Sequence, residues 1–169
     1  QEGQRLTRLI QNILTFTRAP NVHIREVDMS ELVTEIAHIF TPALQAKGIE
    51  IHIACPGNIT LRSDRDMITQ IISNFLSNAE KYAAQGKRVD IEAQAVSGQI
   101  EIAVRDYGPG IAQKEIKMIF LPFYRVKSSI TEGVSGTGIG LTIARQLAQR
   151  LQGEIRVAAK NPGICFTLR

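Results

Sequence analysis

The sequence predicts an α+β domain, a mixed or antiparallel sheet with one face covered by about three helices. Three observations carry this reading. Helix-like and strand-like periodicities come in blocks, without the regular alternation of a βαβ chain. Two pairs of strand-like runs meet at turn signals, Ser97-Gly98 and Asn161-Pro162-Gly163. The 169 residues, 44% hydrophobic and 21% charged, can bury one core and are too few for a second full domain.

Leu6, Leu9, Ile10, Ile13 and Leu14 repeat at helical spacing, so residues 1 to about 18 form an amphipathic helix that Pro20 stops. Pro20-Asn21 is a linker, and the run from His23 to Asp28 is an edge strand. Asp28 with Glu31 starts a helix through Leu32, Ile36 and Phe40 towards Lys47, with Pro42 as a candidate kink. Residues 49–54 alternate at period two, and Ile59 to Leu61 is a short strand beyond the turn Pro56-Gly57-Asn58. The longest helical pattern runs from Asp64 to Tyr82, followed by a polar turn over 84–87. Arg88 to Val96 and Gln99 to Asp106 make a hairpin, and Gln113 to Ile119 a short helix. Phe120 to Thr137 has no sustained period and reads mostly as a mobile loop. A helix over Leu141 to Leu151 and strands over 154–159 and 164–168 complete the chain.

Composition excludes several classes. A net charge of +4, scattered singly and without aromatic interleaving, argues against a nucleic-acid partner. Cys55 and Cys165 form no CxxC or Cys/His spacing, which fits a reducing compartment. No apolar stretch reaches the length of a membrane span, so no membrane contact is expected of these residues. The chain opens at Gln1 without an initiator Met, the expectation for a piece of a longer protein.

Three constellations can carry chemistry. On the helix Asp64 to Tyr82, Gln70, Asn74, Asn78 and Lys81 fall in a band roughly 80° wide, opposite a broad apolar face. A solvated face would be built from Glu and Lys, whereas two Asn cost helix stability. Their amide oxygens are hard neutral ligands suited to Mg²⁺, and Lys81 adds a charge for phosphates. By residue pattern alone a solvated face stays open. Asp106-Tyr-Gly108-Pro-Gly110-Ile111 ends a strand: either a terminating turn or a carboxylate aimed at an exocyclic amine, with glycines admitting a flat ring. Gly136-Thr137-Gly138-Ile139-Gly140-Leu141 opens a helix and bares its first N–H groups to an anion. It is not a Walker A loop, because Ile139 follows Gly138. Nor is it a dinucleotide fingerprint, because no strand precedes it and Leu141 replaces the last Gly. Six of the 13 glycines lie between Gly108 and Gly140, which marks that stretch as a backbone-built ligand site.

Taken in order, these motifs strongly resemble the catalytic, ATP-binding domain of sensor histidine kinases, in the superfamily of gyrase, the Hsp90 chaperones and MutL. Asn74 to Tyr82 (NFLSNAEKY) resembles the N box, Asp106 to Gly110 the G1 box, Phe120 to Arg125 (FLPFYR) the F box and Gly136 to Leu141 the G2 box. The likeness runs from about Val27 to the C-terminal strand at Gly163-Ile-Cys-Phe166. It implies a two-layer α/β sandwich of the Bergerat type, with a mixed sheet of about five strands.

The resemblance implies that Asn78 coordinates Mg²⁺ bridging the ATP phosphates, with Asn74 beside it. Lys81 and Arg125 would neutralise phosphate charge, and Tyr82 would pack near the nucleoside. Asp106 would read the adenine amine, Gly108, Gly110 and Ile111 would shape the pocket wall, and the amides of 136–141 would hold the phosphates. The loop between Phe123 and Gly136 corresponds to the ATP lid. Leu121 and Ala83 depart from the usual F and N boxes. Residues 1–20 would be the end of a dimerisation and phosphotransfer hairpin whose first helix, with the phosphoacceptor histidine, lies outside the chain, and 21–169 the catalytic domain. His23, His38 and His52 lack the surroundings of a phosphoacceptor. A homodimeric parent, a response regulator as partner and a cytoplasmic setting follow by the same implication. Two alternatives share the nucleotide site: a serine kinase of the anti-sigma-factor type, and a domain that binds ATP without transferring it.

Overall fold

In the computed structural model, residues 21–126 and 136–169 are described; the helix expected over 1–18 and most of the expected lid fall outside them. Among the described residues, seven strands form two sheets. β1 (Arg25–Asp28) pairs antiparallel with β3 (Thr60–Ser63) in a two-stranded sheet. The main sheet has the order β2-β4-β5-β7-β6, from β2 (Glu50–Ala54), β4 (Arg88–Val96), β5 (Gln99–Asp106), β6 (Ile155–Ala159) and β7 (Ile164–Leu168). Only β2 and β4 run parallel, so the sheet is mixed as expected.

Three helices, α1 (Met29–Gln45), α2 (Arg65–Tyr82) and α3 (Gly140–Arg150), form the second layer. The core lies between them and rows of inward side chains that cross the sheet, such as Ile91, Val104 and Phe166. Phe75 of α2 stacks on Phe166 of β7, ring centroids 5.1 Å apart. Polar side chains, among them Glu92, Arg105 and Thr167, occupy the alternate positions on the opposite face. At the β4–β5 hairpin, Ser97 and Gly98 both take positive φ, the conformation a two-residue turn of this kind requires.

α1 runs towards Lys47 as expected, with Pro42 inside it. The structure departs from expectation at one segment. The segment 113–119 is not a helix but a single 3-10 turn over Gln113–Glu115 followed by further turns. Of its apolar residues only Ile119 is buried, so little packing rewards propagation past the first turn, and Pro122 follows closely. Among the described residues no helix is long and apolar enough to cross a membrane.

Asp64 is the start signal of α2. It is 3% exposed, and its Oδ1 accepts the N–H groups of Asp66 and Met67, both at 3.0 Å, while Oδ2 accepts that of His23 at 2.7 Å. Burial works against the charge, but the three backbone donors outweigh it and hold the carboxyl below the ordinary aspartate range. We expect Asp64→Ala to cost about 2 kcal/mol or more, a lost cap plus orphaned N–H groups. Because the folded-state pKa is depressed, that contribution is complete above the ordinary aspartate range and fades as pH falls through it. Urea titrations of parent and variant at neutral and acid pH measure the gap; a gap that widens in acid would contradict the assignment.

Candidate nucleotide site

β5 brings its last residue inward by simple alternation. Ile102 and Val104 face the core, and Asp106, two residues on, extends the same row beside Val89 and Ile164. A carboxylate therefore sits at the end of an apolar row, at the rim of a cavity of about 520 Å³. Burial pushes its carboxyl up, against the N–H groups of Gly108 and Ile164, which favour the charge. The Gly108 N–H lies 2.9 Å from Asp106 Oδ1 and closes a turn over Tyr107.

α2 supplies a second wall. With its apolar face committed to the core, Asn74, Asn78 and Lys81 are turned into the cavity, and Tyr82 joins them. Lys47, beyond the end of α1, donates to the Glu80 carbonyl at 3.0 Å and pairs with its carboxylate at 2.7 Å. This fixes the last turn of α2 from outside.

The start of α3 is the third wall. Its N-cap is Ile139, and no side chain among the described residues caps the first N–H groups. They face the cavity next to Asn74: a Cβ on Gly140 would stand 2.9 Å from Asn74 Oδ1. Gly138 has φ +70° and no room for a side chain, because Phe123 lies against it, with the Phe123 N–H on the Gly138 carbonyl at 3.0 Å. Thr142 of α3 donates to the Phe120 carbonyl at 3.0 Å, a second tie between α3 and the segment around Phe120.

Thirteen of the residues singled out in the sequence line this one cavity: Asn74, Asn78, Lys81, Tyr82, Asp106, Gly110, Ile111, Arg125, Gly136, Thr137, Gly138, Gly140 and Leu141. Gly108 and Ile139 do not. Gly108 is buried against Ala83, and Ile139 is a core residue behind the wall. Sequence reasoning missed Ile119, Ile164 and Phe166, apolar lining that looks like any core residue until the sheet is assembled, and Ser77, Glu80, Pro109, Tyr124 and Val126. It also missed Gly86 and Gly163, which lie outside the cavity lining and press on its frame.

Comparison with known proteins decides the family. Residues 63–169 match the model of the histidine kinase-, DNA gyrase B- and HSP90-like ATPases. The chain belongs to that family. Over 170 residues it is 35% identical to the autoinducer 2 sensor kinase/phosphatase LuxQ of Vibrio cholerae serotype O1, covering 94% of this chain and 20% of LuxQ. Full-length ShkA, solved in complex with AMPPNP, superposes with a TM-score of 0.88 at 29% identity, over 99% of this chain and 36% of ShkA. The histidine kinase ThkA, solved with the response regulator protein TrrA, shares the fold with a TM-score of 0.79 at 21% identity, over 99% of this chain and 47% of ThkA. The chain is thus an ATP-binding catalytic domain of the sensor histidine kinase type, spanning a fifth to under half of the length of these relatives.

In this domain backbones touch at the turn after β5. A Cβ on Gly163, whose φ is +94°, would stand 1.8 Å from the Asp106 carbonyl oxygen, and one on Gly86 would stand 2.1 Å from Tyr107. We expect Gly163→Ala to destabilise the domain by roughly 2–4 kcal/mol, since strain and clash add. Gly57→Ala, where nothing lies within 4 Å, should stay within about 0.5 kcal/mol of the parent. Denaturant midpoints of the two variants test this, and equal midpoints would refute it.

Proposed function

We propose that this domain binds Mg-ATP and presents its γ-phosphoryl group to a histidine on a helical hairpin of the parent chain, the hairpin whose end is residues 1–20. In the transfer, the imidazole nitrogen forms the N–P bond as the bond from γ-phosphorus to the bridging oxygen of ADP breaks. The chemistry is mainly positioning and charge neutralisation. The observation that carries the reading is the convergence on one cavity of a half-buried carboxylate, a stripe of amides with a lysine, and a helix start that no described side chain caps.

In this reading the Asp106 carboxylate accepts from the adenine amine, Gly110 and Ile111 flank the ring, and Tyr82 stands by the nucleoside. Lys81 and Arg125 meet phosphate charge, and the N–H groups at the start of α3 hold phosphate oxygens. Asn78, with Asn74 beside it, would hold the cation. The donor set fits Mg²⁺: neutral amide oxygens serve a hard ion that keeps water and takes phosphate oxygens. Among the described residues no group of three or more His, Cys, Asp and Glu could hold an ion alone, so one here would depend on the nucleotide. When bound, Mg²⁺ would offset the charge of the β- and γ-phosphates.

A response regulator would receive the phosphoryl group next, as the pairing of ThkA with TrrA illustrates for that kinase. A homodimeric parent and a cytoplasmic setting, where ATP is held, go with this reading.

Asn78→Ala should abolish Mg²⁺-dependent ATP binding in calorimetric titration while the domain stays folded, since Asn78 contributes no core contact. Asp106→Asn should weaken ATP roughly tenfold or more, by placing a donor against a donor. Unchanged affinity in either would remove that residue's role.

Transfer is tested by supplying radiolabelled ATP and a separate hairpin with the parent's own phosphoacceptor histidine. The expected product is an acid-labile, base-stable phosphoprotein. Acid-stable label on a protein partner would favour a serine kinase of the anti-sigma-factor type. Tight ATP binding with no label would favour a domain that binds ATP without transfer.

A further inference from the structure

On the face of the sheet away from the cavity, four side chains lock together directly behind Asp106. The Tyr107 hydroxyl donates to Asp90 Oδ2 at 2.6 Å. Arg88 donates to the same carboxylate through Nε at 2.6 Å and Nη2 at 3.1 Å. The guanidinium of Arg105 lies over the Tyr107 ring, 4.3 Å from its centroid, and that of Arg88 is 5.1 Å from it. Asp90 is only 7% exposed, and Arg105 buries its Nε without a hydrogen-bond partner among the described residues. Buried polar groups on a sheet face otherwise open to water need a reason.

Strand geometry supplies one. Asp90 and Arg105 face each other across β4 and β5, and Tyr107 falls two residues beyond Arg105, on the same outward side. Asp106 and Gly108, on either side of Tyr107 in the chain, are the two ends of the turn that frames the cavity. The backbone of Tyr107 cannot rotate without turning the Asp106 carboxylate, and its side chain is held at the ring and at the hydroxyl.

We propose that Tyr107 and Asp90 are positioning residues for nucleotide recognition: their hydrogen bond, on the far side of the sheet, fixes the direction of the Asp106 carboxylate towards the adenine amine. This rests on the adenine role proposed above for Asp106. Burial would push Asp90 up, but the bonds from Arg88 and Tyr107 hold its carboxyl below the ordinary range, so the acceptor is charged at neutral pH.

Tyr107→Phe removes only the hydroxyl and keeps the ring against the two arginines. Binding of ATP and of an ATP analogue without the 6-amino group is measured by calorimetry at a temperature where circular dichroism shows every variant folded. The parent should prefer ATP. Tyr107→Phe should lose about three- to tenfold in ATP affinity and nothing towards the analogue. Asp90→Ala, which removes the acceptor of the same bond, should lose ATP affinity to about the same extent as Tyr107→Phe and nothing towards the analogue.

Two results overturn the proposal alone: ATP affinity of Tyr107→Phe equal to the parent's, even with a lower melting temperature, or an equal loss for both nucleotides. A parent that binds both nucleotides equally would overturn the adenine role of Asp106, and the proposal with it.

Discussion

The architecture depends on how α2 packs. Ile68, Ile71, Ile72, Phe75 and Leu76 are all buried, and the stack of Phe75 on Phe166 sets the helix against β7. Each such side chain contributes about 1.5–3 kcal/mol on burial, whereas an Asn in place of Ala costs a helix well under 1 kcal/mol. Packing therefore wins by an order of magnitude. The sequence can place Asn74 and Asn78 on the remaining stripe at small cost. Because the apolar face has one acceptable orientation, the amides have one as well. Site geometry follows from core geometry, with no separate device needed to aim the stripe.

β5 applies the same logic to a charge. Alternation forces Asp106 inward once Ile102 and Val104 are buried, and burial raises its carboxyl pKa, so the folded protein holds a charge that its surroundings only partly compensate. Such a group weakens the fold at neutral pH. The fold tolerates it because the surrounding backbone is packed too tightly to yield. Gly86, Gly108 and Gly163 let three chain segments meet around the turn at distances no Cβ would allow. A carboxylate on a loose turn would relax into water, and this one is held at the cavity rim.

Elements that depend on local periodicity were legible in the sequence. α2 appears at its full length because one run carries both the Asp64 cap and the apolar face, and the β4–β5 hairpin because Ser97-Gly98 suits its turn. What depends on distant partners was not. The pairing of β1 with β3 joins two four-residue strands far apart in the chain, with no local mark of their register. The segment 113–119 has helical residues but only Ile119 to bury, so propensity had little packing to add to. At the site, the residues with recognisable chemistry were readable, and thirteen of fifteen converge on the cavity. Gly86 and Gly163 were not, because their necessity lies in a backbone that arrives from elsewhere. Nor was the pairing of Tyr107 with Asp90, which sit on different strands and meet only when the register is fixed.

The entry of the chain into the domain is tied to the same helix. Oδ2 of Asp64 holds the His23 backbone, while Oδ1 of the same carboxylate caps α2. One buried group thus joins the first described residues to the element that carries Asn74, Asn78 and Lys81. The bond from the His23 N–H to Asp64 is charge-assisted, among the stronger kinds available to a backbone N–H. β1 pairs only with β3, and neither strand is part of the main sheet. The entry of the chain and the stripe of Asn74, Asn78 and Lys81 are thus referred to one helix, the first through its cap and the second through its packing.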